Sequence, residues 1–302
     1  MNNALAKCVT VAVLGLGVTT SAHAIDTLVQ LNYDGIAGYD VTGINEFDWQ
    51  SSGDLIILDE LIGGGSTANG TNYTSFFDWA ANAVIGDTVT FALNAQARLN
   101  DLLDDLGGSI APPELNTSGS GAGFEITAAL TGSEVGTLVA PGVLAFSGVT
   151  GAYEYFFDTS PNSNVDAGTG FTDGISFLSG TLGPAGPSGS FTFGVGGSSI
   201  LRNTVTSYDS AIIETDPEAL APLVGTTFDT LISFISNGEA HVCEGCPIGL
   251  NGYLVQELDL AFKADANTEF TAEPRETPVP GTLFMLGLGL LGVHLSRRKP
   301  LA

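Results

Sequence analysis

The sequence predicts a mostly β ectodomain, an antiparallel β-sandwich or jelly-roll-like domain with one or two short helices, followed by a C-terminal hydrophobic anchor helix. Three observations predict it. Apolar residues alternate with polar ones in one short run after another, which is the period of a half-buried strand. Clusters of Gly, Ser, Thr, Asn and Pro separate the runs, and 40 of the 302 residues are glycine. Few segments hold a helical period, so layers of antiparallel sheet account best for the chain.

The chain opens as an export signal. Lys7 supplies a positive n-region, Cys8 to Val18 an apolar h-region, and Ala22, His23 and Ala24 a small-x-small cleavage site before Ile25. Cys8 leaves with this segment, and Cys243 and Cys246 remain. Residues 1–24 are therefore expected as signal peptide, 25–272 as the β-rich extracellular domain, 273–280 as a linker and 281–302 as the anchor helix with its basic end.

Within the ectodomain, Val29, Leu31 and Tyr33 alternate with Gln30 and Asn32, and Phe47 and Trp49 with Glu46 and Asp48. The same period marks Val89, Phe91, Leu93; Phe124, Ile126, Ala128, Leu130; and Phe191, Phe193, Val195. It is clearest from Leu254 to Phe262, with Leu254, Leu258, Leu260 and Phe262 on one face. Loops are expected at 63–72, 116–123, 161–170 and 183–189. Two segments carry helical spacing. Leu99, Leu102, Leu103 and Leu106 follow i, i+3, i+4, i+7, with Asp101, Asp104 and Asp105 outward and Gly107 as a stop; Phe228, Leu231, Ile232 and Ile235 do the same before Asn237 and Gly238. The tripeptide Phe-Asp-Trp occurs at 47–49 and 77–79, too short a match to read as a repeat.

Charge narrows the partners. Between Ile25 and Pro280 only Arg98, Arg202, Lys263 and Arg275 are basic, against all 33 acidic residues, a formal net charge of −29. Such a domain repels nucleic acid and anionic lipid headgroups, and it suits a soluble extracellular protein, a cation-rich matrix or a saline habitat.

The tail is a different material. A proline pair, Pro278 and Pro280, precedes an uncharged run from Gly281 to Ser296, and Arg297, Arg298 and Lys299 follow it. Those 16 residues fall short of the roughly 20 that a helix needs to cross a 30 Å hydrocarbon core. The run therefore spans marginally, as a temporary anchor would, and its basic end belongs on the cytoplasmic side.

This tail resembles the PEP-CTERM sorting signal of exported Gram-negative proteins: a Val-Pro-Glu-Pro-like motif, a short Leu/Gly-rich span and basic residues. Val279 and Pro280 stand in place, while the Glu-Pro half is absent and Gly281, Thr282 and Leu283 follow directly. The resemblance implies recognition and removal of the tail by an exosortase, transient inner-membrane anchoring, and arrival at the cell surface or extracellular matrix. Ile44 to Trp49 (INEFDW) and Leu260 to Phe270 (LAFKADANTEF) also resemble segments of the flocculation-associated PEP-CTERM proteins of floc-forming, exopolysaccharide-producing bacteria. That likeness implies a non-enzymatic matrix protein with exopolysaccharide or other matrix components as partners, and it supplies no catalytic residues.

Read on their own, the polar residues leave few chemistries. Cys243-Glu-Gly-Cys246 in an exported chain reads first as a structural disulfide. With His241 it offers three soft ligands where zinc wants four, and Pro247, Ile248 and Gly249 do not continue the helix that a redox C-x-x-C usually heads. His241 is the one histidine outside signal and tail, and no G-x-S-x-G elbow surrounds any serine. The Gly63-Gly64-Gly65-Ser66-Thr67 run lacks the lysine of a phosphate loop. Carboxylates are abundant enough for a glycosidase pair, and Trp49 and Trp79 could line a shallow sugar-binding face or sit in the core, so a carbohydrate-binding module or glycosidase is the alternative reading. A self-associating surface-layer protein is a third. Asp158, Asn162, Asn164 and Asp166, followed by Gly168 and Gly170, place oxygen side chains at alternate positions, a pattern that fits either calcium or a solvated polar edge. Asp265, Asn267 and Glu269 repeat it more weakly.

Overall fold

The computed structural model describes residues 28–35, 38, 40–66, 70–118, 123–183, 189–216, 222–235 and 242–270. In chain order the strands are β1 (Leu28–Leu31), β2 (Val41–Ile44), β3 (Glu46–Trp49), β4 (Gly53–Ser66) and β5 (Asn72–Ser75), then helix α1 (Phe76–Asn82). β6 (Thr88–Leu103), β7 (Glu125–Ala140), β8 (Val143–Asp158), β9 (Ile175–Gly183), β10 (Gly189–Thr192) and β11 (Gly196–Tyr208) follow. The rest are β12 (Ile213–Asp216), β13 (Thr227–Ile235), β14 (Pro247–Ile248), β15 (Tyr253–Leu254) and β16 (Leu260–Glu269).

The antiparallel β architecture expected from the sequence takes a closed form. β6 pairs with β7, β7 with β8, β8 with β9, β9 with β11, β11 with β13, and β13 with β16, all antiparallel. β16 then pairs with β3 and β4, both of which pair with β6, so the last strand returns to the first. β3 and β4 run in line along β16, and β9 and β10 run in line along β8. Ten strands, two pairs of them sharing a stave, make eight staves: a sandwich whose edges are joined, leaving the barrel wall without a free edge.

An eight-stranded barrel has an interior about wide enough for side chains to fill, and here aromatics fill it. Phe91, Phe146, Tyr153, Tyr155, Phe191, Phe228, Phe234 and Phe262 are buried in one cluster, with rings at centroid spacings such as 5.3 Å for Phe191–Phe262 and 5.6 Å for Tyr153–Phe228. Tyr153 lies so close over Gly180 of the next stave that a Cβ there would strike its ring and the Thr204 carbonyl. A cavity of about 50 Å³ remains inside, walled partly by Ala95, Ala97, Ala128, Ala264 and Ala266.

The two ends are closed differently. The small sheet β12-β1-β2 caps the end where β16 stops, with Val29, Leu31, Ile44 and Ile213 in the common core. There Phe270 N donates to Asn45 O at 2.9 Å. Helix α1 closes the opposite end and sends Phe76 toward Phe91 (5.6 Å) and Phe193 (6.1 Å). Its start is fixed locally: Ser75 Oγ accepts from Asp78 N at 3.2 Å, and Asp59 accepts from Ser75 Oγ and Phe77 N.

Several local expectations are corrected. Residues 99–106 are not helical: β6 runs to Leu103, and Leu99 and Leu102 are both fully buried. A bulge opposite Asp48 and Trp49, where Leu99 pairs with Trp49 and Asp101 with Asp48, brings leucines three apart to the same inner face. Leu106 is 89% exposed in the turn that follows. Residues 228–235 form β13. Phe228 and Ile232 are four apart, a spacing that satisfies period two as well, and ladders on both sides select the strand. The helix present, α1, contains the second Phe-Asp-Trp, whereas the first lies in β3. Two strand expectations also shorten: Leu254 and Leu258 are 53% and 60% exposed in and after β15, and Val195 is 66% exposed in the β10–β11 turn.

Candidate functional site

Two segments singled out in the sequence, Ile44 to Trp49 and Leu260 to Phe270, meet in space. Ladder pairs Glu46–Glu269, Phe47–Thr268 and Asp48–Asn267 join β3 to β16, and this seam closes the barrel. Alternation gives it two chemistries. Inward, Phe47 packs against Phe270 at 4.9 Å and Trp49 against Tyr155 at 4.9 Å. Trp49 Nε1 donates to Thr268 Oγ1 at 2.9 Å, Thr268 and Thr230 hydroxyls are 2.8 Å apart, and Asn203 Nδ2 donates to Thr230 Oγ1 at 2.9 Å. The Tyr155 hydroxyl lies 3.3 Å from Thr268 Oγ1. Burial pushes the pKa of the Tyr155 hydroxyl up to about 12, partly countered by hydrogen bonds with Thr268 and Thr230.

Outward, the seam is a carboxylate ladder. Glu46 faces Glu269 directly, a like-charge cross-strand pair that opposes folding. Partial burial and then the Glu269 and Asp48 charges raise the pKa of Glu46, against a lowering bond from Asn267. Desolvation and Asp48 raise that of Asp265. Asn100 Nδ2 supplies one neutral donor, to Asp48 at 3.0 Å.

Two loops pack on the outside of the wall. The 159–174 loop holds three of the four oxygen-bearing residues singled out as a calcium pattern, with Asp158 at the end of β8 just before it. Asp158 Oδ1 accepts from Ser160 N at 2.7 Å, Asn164 Oδ1 from Ala167 N at 3.1 Å, and Asn162 Nδ2 donates to Asp173 at 3.0 Å. These side chains are engaged in turn hydrogen bonds, and among the described residues no group of three or more His, Cys, Asp or Glu is placed to hold a metal. The 242–258 segment forms the second loop. Cys243 and Cys246 are joined as a disulfide, with Cα atoms 5.2 Å apart, and Val242, Cys246, Ile248 and Val255 form a small cluster over Ile56 of β4. The loops touch where Cys246 Sγ lies 3.7 Å from the Asp166 carbonyl oxygen.

What anchors these loops escaped the sequence reading. Glu125, fully buried, accepts from Asn162 N (2.7 Å), Ser163 N (3.0 Å) and Ser163 Oγ (2.6 Å). Asn94, 1% exposed, accepts from Thr131 Oγ1, which itself accepts from Leu250 N. Polar residues on the nominal outer face of apolar runs were the available signal, since they read as solvated until a loop covers them. Both tryptophans are core: Trp49 and Trp79 are 2% and 0% exposed, which removes them from any surface sugar platform. An open depression of about 450 Å³ is lined by Thr117, Ser118, Gly123, Thr159, Ser160, Pro161 and Asn162.

Other expected sites lie outside the described residues: Ala22 and Ala24 of the signal, His241, and Val279, Pro280, Gly281, Arg297, Arg298 and Lys299 of the tail. Among the described residues no helix is long and apolar enough to cross a membrane. Comparison with known proteins bears on the tail directly: residues 276–299 match the PEP-CTERM protein-sorting motif. No curated protein and no solved structure matches the chain. The motif implies export, transient anchoring at the membrane and processing by an exosortase before surface display. The acidic β-barrel domain is thus followed in sequence by that signal, and the chain carries a PEP-CTERM protein-sorting motif at residues 276–299.

Proposed function

We propose that this protein is a non-enzymatic surface or extracellular-matrix component that supports exopolysaccharide retention and cell aggregation. The observation that carries the reading is the sorting motif itself, placed behind a barrel whose interior is filled by its own side chains. Supporting it, the open depression is lined by hydroxyl, amide and backbone groups, without a carboxylate pair. The outer seam offers carboxylates that divalent ions can bridge to an acidic polysaccharide.

The test combines the host and the purified protein. Cells lacking the gene should settle more slowly and shed more polysaccharide, and the mature protein should co-sediment with host exopolysaccharide, more strongly with added calcium, while releasing no reducing ends. Release of reducing ends, abolished by one Asp or Glu substitution, would establish a glycosidase instead. Normal settling together with no co-sedimentation would remove the matrix role.

A further inference from the structure

The cavity of about 50 Å³ inside the barrel has walls of two kinds. Ala95, Ala97, Ala128, Ala264 and Ala266, from the neighbouring strands β6 and β7 and from β16, line it with small side chains. Tyr153 of β8 and Asn203 of β11, each 2% exposed, also line it and bring polar groups. Asn203 makes its three hydrogen bonds through Nδ2, which donates to Leu201 O, Phe228 O and Thr230 Oγ1, and its Oδ1 accepts none of them. The Tyr153 hydroxyl has no hydrogen-bond partner among the described residues. A Cβ at Gly180 would stand 2.6 Å from that hydroxyl and against the Thr204 carbonyl, so the ring leans across β9 toward β11, the strand of Asn203. Burial, then the neighbouring Tyr155, raise the pKa of Tyr153 above the ordinary 10.0, which keeps it a neutral donor.

We propose that this cavity is an internal water site, in which water bridges Asn203 Oδ1 and the Tyr153 hydroxyl. Both groups are costly to bury unmet, and one partner serves both, since a water donates to Oδ1 and accepts from the hydroxyl. The volume agrees. A water needs about 10–15 Å³ of free space and takes about 30 Å³ in the liquid, so the cavity holds one or two. Chemistry selects the occupant as well. A wholly apolar space of this size stays dry, whereas an acceptor and a hydroxyl in one wall hold water. Its place in the barrel gives the water a task. Asn203 donates to Thr230, the Thr230 and Thr268 hydroxyls meet, and Thr268 accepts from Trp49 Nε1. The bridge extends this polar chain, which already joins β11, β13, β16 and β3, to Tyr153 of β8. The site is too small for a sugar ring and stands apart from the matrix role.

Thermal melts of the purified mature protein and three variants test this. Tyr153→Phe keeps the ring and removes one end of the bridge, and it should lower the melting temperature by about 2–4 °C. Ala264→Val fills the cavity from the alanine side and displaces the water, so it should also melt lower, whereas filling a dry void would raise the melting temperature. The two losses should not add: in the Ala264→Val protein, Tyr153→Phe should cost little more. An equal Tyr153→Phe loss in both backgrounds would show that the hydroxyl bonds elsewhere and that valine only overpacks, which overturns the proposal. A Tyr153→Phe protein as stable as the wild type overturns it too. A crystal structure of the wild type gives a reading that needs no variant. Water density about 2.5–3.0 Å from both Asn203 Oδ1 and the Tyr153 hydroxyl is expected, and a cavity without it sinks the idea.

Discussion

The closure seam and the outer 242–258 loop are both built across long sequence separations, yet they are held by different means. At the seam, β16 is paired with β13 on one side and with β4 and then β3 on the other, and its inner residues join the main aromatic core. The loop rests on the wall through a five-residue apolar cluster, one disulfide and isolated hydrogen bonds such as Leu250 N to Thr131 Oγ1 at 3.1 Å. Regions differing this much in ladder and burial should open with different free energies, the seam with the whole domain and the loop by itself.

The largest effect expected comes from breaking the seam. Phe47 is fully buried and meets Trp49, Tyr155 and Phe270. Phe47→Ala should cost about 3–5 kcal/mol, a large part of a domain's usual stability of about 5–15 kcal/mol, and urea melts would show it as a lower midpoint of the whole transition. If only amides near residue 47 lost protection, the seam would not belong to the cooperative core. Breaking the loop should do less. Replacing Cys243 and Cys246 by Ser removes a four-residue closure, about 2 kcal/mol in the chain-entropy treatment. Hydrogen exchange should then speed at 242–255 while β6, β7 and β8 keep their protection. Loss of protection across the barrel would make the loop part of the core.

The same contrast explains what could be read in the sequence. Strand alternation shows in 47–49, 89–93 and 124–130, because one face of each is core and the local period reports it. Closure is invisible there, since Glu46 meeting Glu269 is a fact of register between segments more than 200 residues apart. The bulge at Asn100 disguised a strand as a helix, and the four-residue spacing of Phe228 and Ile232 fitted both periods. Two copies of Phe-Asp-Trp adopt strand and helix, as ladder partners decide one and the Ser75 cap the other. Of the candidate sites, the sorting motif was legible because a sorting signal is a linear pattern. Glu125 and Asn94 were not, because what buries each is a loop distant in sequence.

The smallest effect sharpens the comparison from the outer side of the same seam. Burial and the facing Glu269 and Asp48 charges raise the pKa of Glu46 above its ordinary 4.5. The folded state therefore holds this proton more tightly than the unfolded chain does. Its contribution to stability is fully present below about 4.5 and is lost as pH rises through the raised value, so at neutral pH the ionised group opposes folding. Glu46→Gln, which keeps the shape and removes the charge, should raise the melting temperature slightly at pH 7. That gain should shrink as pH falls toward the carboxylate range and as added salt or calcium screens the ladder. Equal melting temperatures at pH 7 would mean that solvent already screens the Glu46–Glu269 pair. A gain that persists unchanged in the acid range would trace it to packing, not charge. The inner face of the seam would then set stability alone, leaving the outer carboxylates free to meet cations at no cost to the fold.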